Sequence, residues 1–267
     1  PALFFAGTAL FGVLDSVTTT YHDRLLADAW ARSNTTSDRT WIAELTFMFA
    51  LNGGRPAEAQ RWVDTLKSLD PGRWAAILAR SNLVVGLGAM PNTAALRRIA
   101  PRMQELSALG RGDLSAGDRY VALARAGAAR DTSGSLTRMA ALIEAWTASH
   151  RGASNAGQLT EVADSLWRGF AENSDIASIL LARMYESQGR VDRARVVLGR
   201  RVYALGYPVP DWLADALRLE GRLAAKAGDR AAAIRAYRKY LLLRFDPEPS
   251  LLPQRDSVRA ELTALGD

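Results

Sequence analysis

Cysteine is absent from the chain, which removes disulfides, thiolate nucleophiles and thiolate metal sites together and leaves the compartment unread from redox chemistry. Histidine is nearly absent. His22 and His150 are far apart in sequence and read as surface or satisfied core residues, not as a catalytic or metal-binding pair. Lysine is confined to Lys67, Lys226 and Lys239, so the formal charge of +6 is almost wholly arginine. That bias fits a GC-rich coding sequence as readily as selection for bidentate contacts.

Long apolar runs are missing too. The first fourteen residues, PALFFAGTALFGVL, carry no charge, but a membrane-spanning helix needs about 20 apolar residues, and the positive leading segment of a secretory signal is absent. Three readings of residues 1–14 stay open: a helix packed on the rest, the remaining end of a membrane or signal segment removed upstream, and an interfacial anchor. Whether a catalytic domain once stood upstream is equally open.

Recognisable catalytic strings are lacking. No Gly-Lys-Ser/Thr string ends a phosphate-cradling loop, and Val85-Gly86-Leu87-Gly88 has no strand before it, so neither nucleotide motif is formed. No strand-turn-helix elbow frames a serine. Glu161 and Asp164 stand at i, i+3 and read as a solvated helix face. The Arg111-Gly112-Asp113 tripeptide reads as turn chemistry. We therefore expect no catalytic residues, no metal and no cofactor.

What is present is helical punctuation. Among β-branched residues no alternation runs for a strand's length, whereas apolar residues recur at helical spacing throughout. The clearest stretch is WLADALRLEGRLAAKAGDRAAAIRAYRKYLLL, Trp212 to Leu243. Asp211 is placed to cap a first helix, Gly228 to end it in the left-handed region, and Asp229 to cap a second. Gly221, Ala224 and Ala233 are small enough to let the two backbones approach, with Tyr237 and Leu241 filling the space beyond. The same offsets recur elsewhere: Gly228 has Ala224, Ala233 and Tyr237 at −4, +5 and +9, Gly189 has Tyr185, Ala194 and Leu198, and Gly54 has Ala50, Ala59 and Val63. Three glycine-centred hairpins with these offsets make an internal repeat.

Along the chain, Asp15 to Arg32 is an expected helix ended by SNTTSD. Thr40 to Leu51 and Ala59 to Leu69 pair across Asn52-Gly53-Gly54, with Pro56 early in the second helix, and Asp70-Pro71-Gly72 closes that hairpin. Trp74 to Leu87 and Thr93 to Leu109 follow, with a kink expected at Pro101. GRGDLSAGD, from Gly110 to Asp118, is the most loop-like stretch and reads as a linker. Asp118 to Arg130 pairs with Ser135 to His150. Leu159 to Glu172 carries Leu159, Val162, Ala163, Leu166, Trp167 and Phe170 on one side, and Asp175 to Gln188 pairs with Val191 to Ala204. The expected divisions are an apolar segment at 1–14, N-terminal hairpins at 15–109, degenerate central hairpins at 118–172, C-terminal hairpins at 175–247 and a capping helix at 250–267.

These offsets resemble those of the tetratricopeptide repeat, a 34-residue helix-turn-helix unit. Residues 40–73 fit one unit through Gly54, Ala59 and Pro71. Residues 214–247 fit another through Leu217, Gly221, Gly228, Asp229, Ala233, Ile234, Tyr237 and Leu241. Phe47 and Pro247 depart from the pattern, and residues 75–172 match only as helical hairpins. The tail is also similar to the C-terminal repeats of bacterial proteins in which a serine/threonine kinase or transcriptional-activator domain precedes the array, although no kinase motif occurs here. The resemblance implies an all-α right-handed solenoid of about six to seven hairpins, outside the cytoplasm or membrane-associated; without it, a cytoplasmic location is the default.

The resemblance also implies a non-catalytic scaffold that binds a protein or peptide in a groove lined by the first helix of each hairpin. The matching positions are Asp215, Arg218, Arg222, Ala225 and Lys226 in the last hairpin, and Ile176, Ile179, Arg183, Glu186 and Ser187 in the one before. Trp41, Glu44, Met48 and Leu51 would form an apolar end. From Arg183 to Arg244 there are fourteen Lys/Arg against six Asp/Glu, a local net of +8 in a chain of +6, which suits an acidic partner. Two alternatives remain: a structural subunit of a larger, membrane-associated assembly, and nucleic-acid binding through the basic half, which the absence of a recognition helix or zinc finger argues against. The partner and the oligomeric state are not legible.

Overall fold

The structure is a computed structural model that describes residues 16–85, 101–169, 174–200 and 212–266. The expectations for residues 1–14, the turn at Gly88 to Pro91, Phe170 and the cap at Asp211 lie outside the described residues. Within them the chain is all helical: α1 (Ser16–Arg32), α2 (Thr36–Gly53), α3 (Pro56–Leu69), α4 (Pro71–Val85), α5 (Pro101–Gly110), α6 (Leu114–Ala128), α7 (Ser135–His150), α8 (Ala156–Trp167), α9 (Ser174–Ser187), α10 (Val191–Leu198), α11 (Leu213–Lys226), α12 (Arg230–Leu243) and α13 (Leu252–Ala264). They divide into two compact units, one of residues 1–74 with 203–267 and one of residues 75–202.

One turn chemistry recurs in both units. At Gly54 (φ +81°), Gly189 (+74°) and Gly228 (+76°) the chain enters the left-handed region open to glycine without strain. In each case the next residue's N–H returns to the carbonyl four residues before the glycine: Arg55 to Ala50 (2.8 Å), Arg190 to Tyr185 (2.9 Å) and Asp229 to Ala224 (2.9 Å). This is the Schellman closure, and it satisfies carbonyls that the helix end would leave orphaned. Ala59, Ala194 and Ala233, each five residues after its glycine, are wholly buried. Gly112 and Gly152 make the same closure, with Asp113 and Ala153 donating to Ala108 and Ala148.

Two stretches taken as loops are helical. Within SNTTSD, Thr35 is extended and its hydroxyl oxygen accepts from the Asp38 N–H at 3.0 Å, so the polar run starts α2. In GRGDLSAGD only Arg111 to Asp113 lie between helices. A Cβ on Gly110 would fall 2.6 Å from the backbone carbon of Asn82, and one on Gly117 only 2.1 Å from Thr147 Oγ1. Two of its three glycines therefore mark close helix packing, which composition alone cannot distinguish from flexibility. Asp70-Pro71-Gly72 is likewise a one-residue joint, since Pro71 opens α4 and Asp70 Oδ1 accepts from the Arg73 N–H at 2.9 Å. α5 is described from Pro101 on, so the kink expected at Pro101 falls at the edge of the described residues.

In the first unit α2 packs on α3, α1 and α11, and eleven of its residues are buried. The last hairpin, α11 and α12, is closed by α13, whose Val258 and Leu262 join Leu213, Leu217, Tyr237 and Tyr240 in one core. A Cβ on Gly221 would meet the Tyr237 ring at 2.3 Å. Gly221→Leu is expected to destabilise the first unit by about 1–3 kcal/mol through overpacking; an unchanged urea midpoint would show that this face is not the packed one.

The turn of the first hairpin is seated on the end of the last. Asn52 Oδ1 accepts from the Ala214 N–H at 3.0 Å and so satisfies a donor in the first turn of α11. The Glu248 N–H donates to Gly54 O at 2.8 Å, and the Glu248 carboxylate accepts from the Ala57 N–H at 3.0 Å, capping α3 from 191 residues away. Arg55 holds Asp23 of α1 through two 3.0 Å bonds. In an open solenoid each repeat touches only its sequence neighbours; here the first and last hairpins touch each other.

In the second unit α9 is the central helix, packed on α7, α8 and α10. Every residue from Ile176 to Ala182 is buried, as are Met184 and Tyr185. A helix apolar on all sides belongs in the middle of a bundle.

Candidate functional site

The side chains assigned to a groove are distributed between three environments. On α11, Arg218 and Arg222 are half-buried and Lys226 is exposed, at i, i+4 and i+8 along one face. Beneath them, Tyr237 donates its hydroxyl to Glu261 of α13, and Tyr240 donates to Gln254 Oε1 at 2.9 Å. Burial pushes the Tyr237 hydroxyl above its ordinary range and the Glu261 carboxylate adds to this, while the charges of Arg222 and Arg218 oppose it. These cations stand on a helix packed against α12, and α12 is packed against α13.

The apolar end behaves differently. Met48, Leu51 and Glu44 are buried, Met48 at 4% exposure, and only Trp41 keeps a partly exposed side chain. Glu44 pairs with Arg73, whose guanidinium also lies 6.0 Å from the Trp41 ring centroid. The expectation that Met48 and Glu44 line an open groove is corrected: α2 is packed on several sides, and these residues are core and core-edge. Ile176 and Ile179 are buried for the same reason on α9. Arg183 is half-buried and its Nη1 donates to Val84 O of α4 at 2.7 Å.

A charged centre lies in the second unit, where the i, i+3 spacing of Glu161 and Asp164 predicts a solvated face. Asp164 on α8 has no exposed surface. Its Oδ2 accepts from the Tyr185 hydroxyl at 3.0 Å and from Arg193 Nη2 at 2.7 Å, and its Oδ1 accepts from Arg200 Nη1. Glu161 stays near the rim and pairs with Arg190 at 2.6 Å. Burial pushes the Glu161 carboxyl up, but its hydrogen bond with Arg190 outweighs this with help from Tyr185 and the nearby guanidinium charges, leaving it below the usual carboxylate range. Burial raises the Tyr185 hydroxyl to about 12, so it stays a donor at neutral pH. The signal was available in the spacing: Asp164 falls with Ala156, Thr160, Ala163 and Trp167 on the buried stripe of α8, whereas Val162, assigned to that stripe, is exposed. The centre ties α8, α9 and α10 together and serves structure.

Among the described residues there is no group of three or more His, Asp or Glu side chains able to hold a metal ion, and no helix is long and apolar enough to cross a membrane. No protein-family model, curated protein or solved structure matches the chain.

Proposed function

We propose that the protein is a non-catalytic interaction scaffold of tetratricopeptide type, which holds an acidic peptide segment or partner subunit against the face of α11. The observation that carries this reading is the alignment of Arg218, Arg222 and Lys226 on a helix that is fixed from behind by Tyr237 and Tyr240. Because the helix that carries them is already packed, binding an extended anion there requires no ordering of backbone, and that cost is not taken from the contact energy. The recurrent Schellman hairpins support the repeat-like character of the scaffold, although its first and last hairpins join instead of leaving an open array. The burial of Met48 and Glu44 moves the binding surface away from α2 and onto α11.

The contact energies set the expected size of the effect. A charge-assisted hydrogen bond contributes about 1.5–3 kcal/mol where partly desolvated and under about 1 kcal/mol on a fully wet face. Half-buried Arg218 and Arg222 belong nearer the first case and Lys226 to the second. Arg218→Glu with Arg222→Glu is expected to abolish partner recovery in a pull-down at physiological salt while leaving the helical circular dichroism unchanged. Undiminished recovery of the same partner by the double variant would overturn the assignment to α11.

A further inference from the structure

A second cationic site lies in the second unit, away from α11 in sequence. A shallow, open depression beside the α6–α7 turn is lined by Arg102, Gly127, Arg130, Asp131, Ser135 and Leu136. Among the described residues neither Arg102 nor Arg130 forms an ion pair with a carboxylate, although most of the chain's other described arginines do or donate elsewhere. Gly127 creates room for one of them, because a Cβ there would fall 3.1 Å from Arg102 Nη1 and 3.0 Å from Leu136 Cδ1.

The acidic member of the lining is already occupied. Asp131 Oδ1 accepts from the Ser133 hydroxyl at 2.6 Å and from the Ser133 N–H at 3.1 Å, and Oδ2 accepts from the Leu136 N–H at 2.6 Å. Those bonds, the one from the Ser133 hydroxyl foremost, hold its carboxyl below the usual range, with the Arg138 charge assisting. Asp131 is thus the built-in cap of α7, and the helix end makes no demand on a ligand. Asp131 stays ionised, so the lining carries two guanidinium charges against one carboxylate, a net of +1, with the Ser135 hydroxyl and the Leu136 side chain also in it.

We propose that this concavity binds a small molecule carrying a phosphate group, with Arg102 and Arg130 on the phosphate oxygens and the organic portion against Leu136. Two planar forks match the charge and oxygen geometry of a phosphate dianion better than they match a monoanionic carboxylate. The site is independent of the α11 face and stands or falls apart from it.

The test is calorimetric titration of the full chain with inorganic phosphate and then with phenyl phosphate. Saturable binding of inorganic phosphate with Kd of about 1 mM or tighter is expected, tightening for phenyl phosphate as the ring meets Leu136. Arg102→Gln and Arg130→Gln should each raise Kd at least tenfold. Both variants should keep the wild-type circular dichroism, since neither arginine is in a described ion pair. Gly127→Val should weaken binding by intruding on Arg102, and Arg218→Glu with Arg222→Glu should leave phosphate binding unchanged. Absence of saturation, or an equal Kd in the Arg102→Gln, Arg130→Gln double variant, would overturn the proposal.

Discussion

Asp164→Ala is expected to destabilise the second unit by about 3 kcal/mol, at the lower end of the range for breaking a buried ion pair. The alanine removes the acceptor of three groups at once, leaving Arg200 without one and the buried Tyr185 hydroxyl and Arg193 with only Glu161 at the rim. The two guanidiniums keep 31% and 29% side-chain exposure, so part of their charge is regained by water, which is why the figure is not higher. Tyr185 has no such outlet, since it is fully buried. Native-state hydrogen exchange at the amides of α8, α9 and α10 measures the effect directly. Asp164→Asn, which keeps the shape and an acceptor for Tyr185 but removes the charge, should fall between wild type and alanine. Protection factors unchanged in both variants would mean that the three helices are not held together at this point.

The second large effect is expected at Gly54, and its size should separate two roles of glycine. Gly54, Gly189 and Gly228 share a left-handed backbone and the same carbonyl closure, but their surroundings differ. A Cβ on Gly54 would lie 2.7 Å from Pro247 Cβ and 2.8 Å from Arg244 Nη1; a Cβ on Gly189 or Gly228 would meet nothing within 4 Å. Asparagine tolerates the left-handed region, so Gly189→Asn and Gly228→Asn should cost under about 1 kcal/mol. Gly54→Asn should cost about 1–3 kcal/mol more, because Pro247 must give way at a packed junction and Arg244, only 3% exposed, has little room to move. Thermal or urea unfolding of the three variants side by side gives the comparison. Equal destabilisation would mean that the first hairpin is not seated on residues 244–248.

Much of the fold was legible because its turns are chemically explicit. A glycine that must be left-handed, followed by a small residue that must be buried, leaves a mark in the sequence, and Gly54, Gly189 and Gly228 carry it. Gly110 and Gly117 were misread as a linker because a glycine that admits a neighbouring helix looks the same in composition as one that permits a bend. Asp164 was misplaced for a related reason: an i, i+3 carboxylate pair suggests a wet face, and only the period of its apolar neighbours shows that one member points inward. The basic residues of α11 were identifiable from charge and spacing. The enclosure of α2 was not, because one of the helices packed on it, α11, lies some 160 residues further along the chain; local pattern carries no information about it. The run IAELTFMFAL, with a single charged residue, held the available hint that α2 is covered on several sides.

The Glu248 carboxylate that caps α3 sets an order of assembly. During synthesis at about 5–20 residues per second, some 10–40 seconds separate the emergence of Ala57 from that of its cap, given their spacing of 191 positions. Over that interval α2 and α3 exist as a hairpin whose outer turn is unclosed, while residues 75–202 have time to fold as a unit of their own. The first of the described hairpins to be made is thus the last of them to be finished, and a ribosome stalled before Glu248 should hold a nascent chain that a protease cuts near Arg55 and spares within α8 to α10.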